Sequence, residues 1–378
     1  MLRNSVIEKN LRKPDLILLS VVGIILALGI IILASVSAPY ALERFGDTYY
    51  FLKHQLLWGL IPGFILGFLA FRINLSFLKK IAPAILLINL ILLGMVFLPV
   101  IGSRNEEASR WIGFGKFTFQ PSEFLKLTLI LYLATWFASR AEKITSPKEM
   151  RRFSQTLLAF LMIAVIISVL LALQPDISTL GVILLTALVM YFSLNTPFWH
   201  TALMILLGGG ALFSLVKMAP YRANRFLVFL NPEVDPMGIG YQAKQSLIAV
   251  GSGGIGGVGL GMSVQKLGFL PQSISDSVFA VFSEETGFIG AIILILLFLI
   301  FLWRGFRTAK EAKNSFSQLL AVGITSWIVI QTFVNIGAMI GILPLTGIPL
   351  PLISYGGSAL TVELIAIGLL LNISSKTT

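Results

Sequence analysis

Residues 276–307 read DSVFAVFSEETGFIGAIILILLFLIFLWRGFR. The stretch opens with one acid, Asp276, is mostly apolar from Val278 to Trp303, and then turns basic. A helix needs about 20 mostly apolar residues to cross a bilayer. The stretch therefore predicts a membrane-spanning helix with a carboxylate just before its first residue and cations at its far end.

Nine further stretches of the chain share this apolar character. With the first, they give ten predicted spans at roughly residues 16–38, 51–71, 81–101, 121–138, 156–173, 176–193, 198–218, 278–303, 317–341 and 350–373. The 378-residue chain is 56% hydrophobic and 12% charged, whereas soluble proteins have about 25% charged residues. We expect one all-α, polytopic membrane domain that covers residues 1–378.

Basic residues are concentrated on one side of the predicted bundle. That side holds 17 of the 28 Lys and Arg residues, within residues 1–15, 72–80, 139–155, 304–316 and 374–378. Because cytoplasmic loops carry such an excess, both termini are expected in the cytoplasm. The net charge of +11 therefore reflects the membrane topology, and the basic residues also attract anionic membrane lipid to some extent. No nucleic-acid partner is expected, since no basic stretch forms a nucleic-acid-binding motif or alternates with stacking aromatics.

The longest connection, about residues 219–277, is predicted on the outer side between spans seven and eight. Within it, residues 242–250 predict a short interfacial helix, and residues 251–261 read GSGGIGGVGLG. The missing Lys-Ser/Thr ending and the absence of a preceding strand exclude a nucleotide-binding phosphate loop. The glycine spacing fits close packing and backbone amides that meet an anion equally well.

Residues 119–126, FQPSEFLK, place Glu123 and Lys126 on one helix face. The pair is either a structural fixture of the helix start or a cationic phosphate site in which Glu123 holds Lys126. The depth of Lys126 within the span favours the second interpretation. Arg110 precedes this motif beside Trp111; it is either an interfacial anchor or a phosphate ligand.

Two aspartates stand at predicted helix starts. Asp176 follows Gln174-Pro175 and either caps the sixth span or helps to hold a cation. Asp276 is the only acid between Asp235 and Glu284. Either Ser275 or Asp276 simply caps the eighth span, or Asp276 is a base kept at the membrane surface. Helical spacing puts Glu284 near its face, so both acids are expected along one polar path. Residues 349–358, rich in proline and glycine, are expected to border the same cavity.

The chain contains no cysteine and two histidines, His54 and His200, far apart in the sequence. No disulfide or thiolate nucleophile is possible, and a histidine-based zinc site is not expected.

These motifs, in this order, resemble the SEDS family of bacterial membrane proteins (shape, elongation, division and sporulation), which includes FtsW and RodA. The resemblance extends over about the whole chain and rests on residues 110–112, 119–126, 174–176, 235–236, 240–242, 245–246, 251–254, 270–276, 279–281, 284–285, 287–288 and 350–357. Residues 259–267 look more like the division branch, FtsW, than the elongation branch.

The resemblance implies a peptidoglycan glycosyltransferase of the bacterial cytoplasmic membrane. Such enzymes polymerise lipid II, a disaccharide-pentapeptide on undecaprenyl pyrophosphate, at the outer face. They work with a class B penicillin-binding protein, a single-span transpeptidase, and use a divalent cation, Mg²⁺ or Mn²⁺. The family's essential aspartate matches Asp276 as the catalytic residue. The candidate substrate-binding residues are Arg110, Glu123, Lys126, Asp176, Gln242, Gln245, Ser252 and Gly253; the sequence identifies no metal ligands.

Two other classes of function remain open from the sequence. A transporter that flips lipid II would show discontinuous helices and charges near the middle of the membrane. A scaffold that recruits a transpeptidase would tolerate loss of Lys126 and Asp276. The clustering of polar motifs on the outer side favours an enzyme.

Overall fold

The computed structural model describes residues 13–98, 102–105, 108–114, 117–141, 147–194, 198–217, 220–235 and 237–376. Helices dominate this part of the chain. In order they are α1 (Leu16–Phe45), α2 (Tyr50–Gln55), α3 (Ile61–Arg72), α4 (Leu75–Met95), α5 (Pro121–Ala141), α6 (Pro147–Leu173), α7 (Ile177–Phe192), α8 (Phe198–Lys217), α9 (Pro220–Leu230), α10 (Ile239–Ser252), α11 (Val278–Lys310), α12 (Ser315–Met339) and α13 (Gly357–Ser374). A π-helical turn, Leu56–Leu60, joins α2 to α3, and short 3₁₀ turns occur at Pro232–Val234 and Gln265–Leu267.

Each of the ten predicted spans coincides with a helix, which confirms the all-α, polytopic membrane fold. Among the described residues, six helices are long and apolar enough to cross a bilayer: Leu16–Phe45, Tyr50–Arg72, Leu75–Met95, Val278–Lys310, Ser315–Met339 and Gly357–Ser374. Two shorter apolar helical stretches are Leu157–Leu173 and Ile177–Phe192.

Several predicted boundaries were wrong. Helix α1 continues to Phe45, α6 begins at Pro147 and α11 continues to Lys310. The third span was expected at residues 81–101 but runs from Leu75 to Met95; residues 99–101 lie outside the described part. The last span was expected from residue 350 but begins at Gly357. Prolines at 349 and 351 explain the later start, because each disfavours helical backbone in the residue before it.

The last helix packs against the second span through glycines. A Cβ atom added at Gly368 would lie 2.1 Å from the carbonyl oxygen of Gly67, and one added at Gly63 would lie 2.6 Å from Leu364. Small residues allow helix backbones to approach closely in membranes. The contact between α3 and α13 therefore joins an early helix to the final one.

The connections predicted on the outer side contain more regular structure than the sequence indicates. Strands β1 (Gly102–Asn105), β2 (Ala108–Phe114) and β3 (Phe117–Phe119) form an antiparallel sheet in the order β1-β2-β3. The expected all-α fold class included no strands. The short helix expected at residues 242–250 is confirmed as α10, whereas α9 was not predicted.

Helix α11 is interrupted at Gly287, whose φ of 69° and ψ of −167° are not helical. Residues 251–268, hereafter the glycine loop, supply the hydrogen bonds that the interruption removes. The backbone N–H groups of Val258 and Gly259 donate to the backbone carbonyl oxygens of Glu284 and Glu285, at 3.0 and 3.1 Å respectively. On the far side of the interruption, the carbonyl oxygens of residues 254 and 255 accept from the N–H groups of residues 288 and 289. The loop thereby replaces one turn of helical hydrogen bonding.

Candidate active site

Asp276 lies in the turn that leads into α11. Its Oδ1 accepts a hydrogen bond from Ser275 Oγ at 2.6 Å. The residue at the N-cap position is Ser277, and no side chain caps the helix there. The alternative that Asp276 or Ser275 simply caps the eighth span is therefore wrong.

The turn that carries Asp276 is fastened to the segment between α12 and α13. Asn335 Nδ2 donates to the carbonyl oxygens of Asp276 at 2.8 Å and Ile348 at 2.7 Å. Tyr355 N donates to Ile274 O at 2.9 Å, and Ser354 Oγ donates to the carbonyl oxygen of Ser275. Buried backbone groups with such partners are held in place. Asp276 consequently has a fixed position relative to the proline-rich segment.

A groove of about 1120 Å³ opens beside Asp276. It exceeds the roughly 300–1,000 Å³ usual for small-molecule pockets. The charged side chains along it are Arg110, Glu123, Asp176, Arg225 and Asp276. Residues of the 343–349 and 355–359 segments form another part of the wall, which confirms that the proline- and glycine-rich segment borders the same cavity as Asp276.

Burial raises the pKa of Asp276 above its ordinary value of 3.8. The hydrogen bonds from Ser275 and from its own backbone, and the positive charge of Arg225, act in the opposite direction to a smaller extent. Arg225 also donates through Nη1 to the carbonyl oxygen of Thr346 at 3.2 Å. A carboxylate with a raised pKa is a better proton acceptor than an exposed one.

Arg225 was missed in the sequence. It lies on α9, and its approach to Asp276 depends on how that helix folds back over the groove. The available signal was Pro220, which suits the first turn of a helix, followed by ten residues that mix aromatic and basic side chains.

Arg110, on β2, lines the groove and holds the turn before α7. Its Nε donates to Gln174 O at 3.0 Å and its Nη2 to Pro175 O at 2.6 Å. Asp176 follows in that turn and also lines the groove. It occupies the N-cap position of α7 without capping it; instead its Oδ2 accepts from Ser122 Oγ at 3.0 Å. The capping explanation of Asp176 is thus wrong.

Glu123 and Lys126 form the predicted pair, with 2.7 Å between Oε2 and Nζ. Only 1% of the Lys126 side chain is exposed. Its Nζ also donates to Gln331 Oε1 at 2.9 Å and lies 5.2 Å from the centre of the Trp327 ring. Glu123 lines the groove, whereas Lys126 does not. The expectation that Lys126 faces a phosphate is therefore wrong: Lys126 is buried, and Glu123 neutralises its charge.

Of the four predicted binding residues in the long connection before α11, one lines the groove and three do not. Gln242 lines the groove and donates through Nε2 to Ser277 Oγ at 3.1 Å. Three further predicted binding residues, Gln245, Ser252 and Gly253, do not line it. A Cβ atom at Gly253 would lie 2.1 Å from the carbonyl oxygen of Ser283, so close packing explains this glycine. Ser252 Oγ donates to Ala249 O within its own helix.

Glu284 does not share a path with Asp276, contrary to expectation. The glycine loop encloses it: Val264 N donates to its Oε1 at 3.1 Å, and Ser263 Oγ donates to its Oε2. Helical spacing alone could not reveal this, because the loop covers that face of α11.

Metal-ligating side chains are not grouped in the described ranges. No three Asp, Glu or His side chains there come close enough together to hold a metal ion. The divalent cation implied by the resemblance thus finds no ready set of ligands among these residues.

A polytopic membrane protein with a large groove, a half-buried aspartate beside it and two arginines on its walls is a candidate membrane enzyme for an anionic substrate. Comparison with known proteins identifies the family. The family model FTSW_RODA_SPOVE, described as "Cell cycle protein", matches residues 15–378. The chain belongs to this family.

Relatives resemble the chain over nearly their full length. Stage V sporulation protein E of Bacillus subtilis (strain 168) is 40% identical over 361 residues, which is 96% of this chain and 97% of that protein. The probable peptidoglycan glycosyltransferase FtsW of Nitrosococcus halophilus (strain Nc4) is 38% identical, over 97% of this chain and 93% of that protein. Several other relatives carry the FtsW name, which supports the division-type resemblance.

Solved structures agree with the sequence relatives. A chain in the structure titled "Structural coordination of polymerization and crosslinking by a peptidoglycan synthase complex" matches with a TM-score of 0.75 and 28% identity, over 96% of this chain and 98% of that one. The rod shape determining protein RodA of Thermus thermophilus matches with a TM-score of 0.69 and 26% identity, over 96% of both chains.

Proposed function

We propose that this protein is a peptidoglycan glycosyltransferase that polymerises lipid II at the outer face of the bacterial cytoplasmic membrane. The observation that carries the proposal is the desolvated carboxyl group of Asp276 beside a groove with Arg110 and Arg225 on its walls. The names of the FtsW relatives and of the matching synthase complex support the same activity.

Asp276 acts as the general base. It takes the proton from the GlcNAc 4-hydroxyl of one lipid II molecule, and that oxygen attacks the anomeric MurNAc carbon of the other chain. The configuration inverts to a β-linkage as the bond to undecaprenyl pyrophosphate breaks. Glycoside hydrolases need a second carboxyl group to protonate a poor leaving group. Pyrophosphate leaves readily, so one carboxylate suffices.

The arginines on the groove walls would stabilise the departing charge. A guanidinium presents a planar set of donors that suits phosphate oxygens, and preorganised cations lower the barrier where negative charge develops. Arg110 and Arg225 both hold backbone carbonyls, which restricts their movement. Lys126 contributes indirectly, by holding Glu123 at the groove wall.

The proton transfer and the displacement of pyrophosphate need no divalent cation. Only the family resemblance implies that a cation binds, and polymerisation assays with and without Mg²⁺ or Mn²⁺ test this.

A class B penicillin-binding protein is the proposed partner, and the termini are proposed to be cytoplasmic. The matching chain comes from a peptidoglycan synthase complex, which supports a partner that crosslinks the new strands. The excess of basic residues on one side supports the orientation.

One observation is compatible with the transporter alternative: α11 is interrupted at Gly287. Transporters place such interruptions near the bilayer midplane. In α11 about 16 residues separate Gly287 from Trp303, or about 24 Å of helix, so the interruption lies near the outer side. Lipid II in liposomes distinguishes the classes: glycan strands indicate the enzyme, whereas leaflet exchange without polymer indicates a flippase.

Asp276→Asn tests the base directly. In purified protein with lipid II and the transpeptidase partner, we expect glycan strands to disappear because the amide cannot accept the proton. Glu233→Gln is the matched control: it removes an exposed outer acid that does not line the groove, and activity should persist. Normal polymerisation by a folded Asp276→Asn variant would reject the mechanism, and a scaffold function would then be favoured.

A further inference from the structure

The outer edge of the hydrocarbon layer can be located from the inner ends of two helices. Asp15 and Arg304 are joined by a 2.7 Å hydrogen bond between Oδ2 and Nε, where α1 begins and the basic end of α11 starts. About 20 helical residues cross the hydrocarbon layer. Counting that length outward from Asp15 reaches Ser35, and from Arg304 it reaches Glu284.

The two counts meet at one place in the structure. Ser35 Oγ donates to Glu285 Oε1 at 2.8 Å, one residue from the end of the second count. Lys266 Nζ joins the same cluster, at 2.7 Å from Glu285 Oε1 and 3.0 Å from Ser35 Oγ. The glycine loop is therefore bound to α1 and α11 at the level where lipid acyl chains begin, not above them in water.

The glycine loop also has its polarity inverted. Three of its four polar side chains point inward: Ser263, Gln265 and Lys266 are buried, whereas Ser252, where α10 ends, is exposed. Its apolar side chains point outward, and the exposed fractions are 76% for Ile255, 63% for Leu260 and 69% for Met262. Residues 236–275 contain no acid. A loop in contact with water would have the opposite arrangement.

The apolar surface of the loop continues onto the membrane-facing side of α11. Ile289 N donates to the carbonyl oxygen of Ile255 at 3.2 Å, and Phe288 and Ile289 are themselves exposed. Both belong to the long apolar helix that crosses the bilayer. The same environment therefore covers both surfaces.

We propose that the glycine loop inserts its outward side chains into the outer leaflet, so that its binding partner is lipid acyl chain. The ion pair of Lys266 and Glu285 anchors the loop from the protein side, and lipid anchors it from the other. Because Asp276 follows the loop by eight residues, this insertion sets the height of the groove above the membrane. This insertion rests on the proposed orientation of the termini and is independent of the proposed chemistry.

The absence of cysteine makes the test direct. Single variants Ile255→Cys, Leu260→Cys and Met262→Cys are reconstituted without any partner protein in phosphatidylcholine–phosphatidylglycerol vesicles. The rate of reaction with a charged, membrane-impermeant maleimide is measured and normalised to outward-facing protein. Two reference variants bracket the result: Phe288→Cys on the lipid-facing side of α11, and Met237→Cys, whose parent side chain is 91% exposed outside the spans.

We expect the three loop variants to react at least tenfold more slowly than Met237→Cys in vesicles and at rates near that of Phe288→Cys. After transfer to denaturing detergent all five should react at one rate. The proposal would be overturned if the logarithms of the loop variants' reaction rates lay closer to that of Met237→Cys than to that of Phe288→Cys. If the loop variants reacted fast alone and slowly only after the transpeptidase was added, the loop surface would bind a protein partner and not lipid. All five positions are exposed, so folding, checked by size-exclusion profile, should be preserved.

Discussion

Asn335 offers the sharpest test of how the structure positions Asp276. It is buried on α12, and its Nδ2 joins the Asp276 carbonyl oxygen to that of Ile348. Asn335→Ala removes both hydrogen bonds and leaves the Asp276 side chain intact. The turn that carries the carboxylate is then no longer fastened to the segment that lines the groove.

The expected magnitudes follow from these two contacts. A buried carbonyl group that loses its partner costs about 1–3 kcal/mol. Asn335 Oδ1 has no hydrogen-bond partner, so its removal offsets part of the loss, and we expect about 3 kcal/mol in the free energy of unfolding. A displacement of about 1 Å in a reacting group costs roughly 100-fold in rate. We therefore expect kcat to fall about 100-fold.

The chain provides a matched control in Asn372. Its Nδ2 also donates to two carbonyl oxygens, those of Ala70 at 2.9 Å and Ile73 at 2.8 Å, and it is equally buried. It lies in the last turn of α13, outside the groove. Asn372→Ala should lower stability by a similar amount while polymerisation per folded molecule stays within about threefold of the parent protein, because the lost contacts are of the same kind.

The measurements are thermal unfolding in detergent and the initial rate of lipid II polymerisation with the transpeptidase present. The decisive quantity is the rate normalised to folded protein. Equal normalised rates for the two variants would refute a positioning function for Asn335, and so would a loss confined to stability.

Two further predictions concern charge and backbone. The acidic limb of the pH–rate profile should lie above pH 3.8, because burial raises the pKa of Asp276 and the base is lost as the pH falls through that pKa. Arg225→Gln removes a charge that lowers this pKa, so the acidic limb of the kcat/KM profile should move to higher pH. An unchanged limb would contradict the assignment of Asp276 as the base. Gly287→Ala should lower the unfolding free energy by at least about 1–3 kcal/mol, because its backbone is accessible only to glycine. Gly23→Ala, where a Cβ meets nothing within 4 Å, should change stability by no more than about 1 kcal/mol, and equal thermal shifts would contradict the reasoning.

Hydropathy predicted the spans because crossing a bilayer imposes a minimum apolar length on each helix. Hydropathy did not predict the helical residues 75–80, because Lys79 and Lys80 interrupt the apolar pattern although α4 begins at Leu75. Hydropathy also did not predict the sheet formed by β1, β2 and β3, because it carries no information about strands outside the bilayer.

The position of three candidate site residues on the groove agrees with their selection from the sequence: Asp276, Asp176 and Arg110 line it. Their functions in catalysis and substrate binding stay predictions. Lys126 and Arg225 were harder because their surroundings come from distant elements. Lys126 is enclosed by Gln331 and Trp327 of α12, and Arg225, on α9, lines the same groove as Asp276 although the two are 51 residues apart in the sequence.

The contact between α3 and α13 has a consequence for biogenesis. The glycine-lined face of α3 has its partner near the carboxyl end of the chain, some 300 residues later. During insertion by the ribosome-bound translocon, that face stays exposed to lipid until the final helix leaves the ribosome. A chain truncated before Gly357 would therefore expose the unpaired surface of α3 to the quality-control proteases of the membrane, even with its other loops complete.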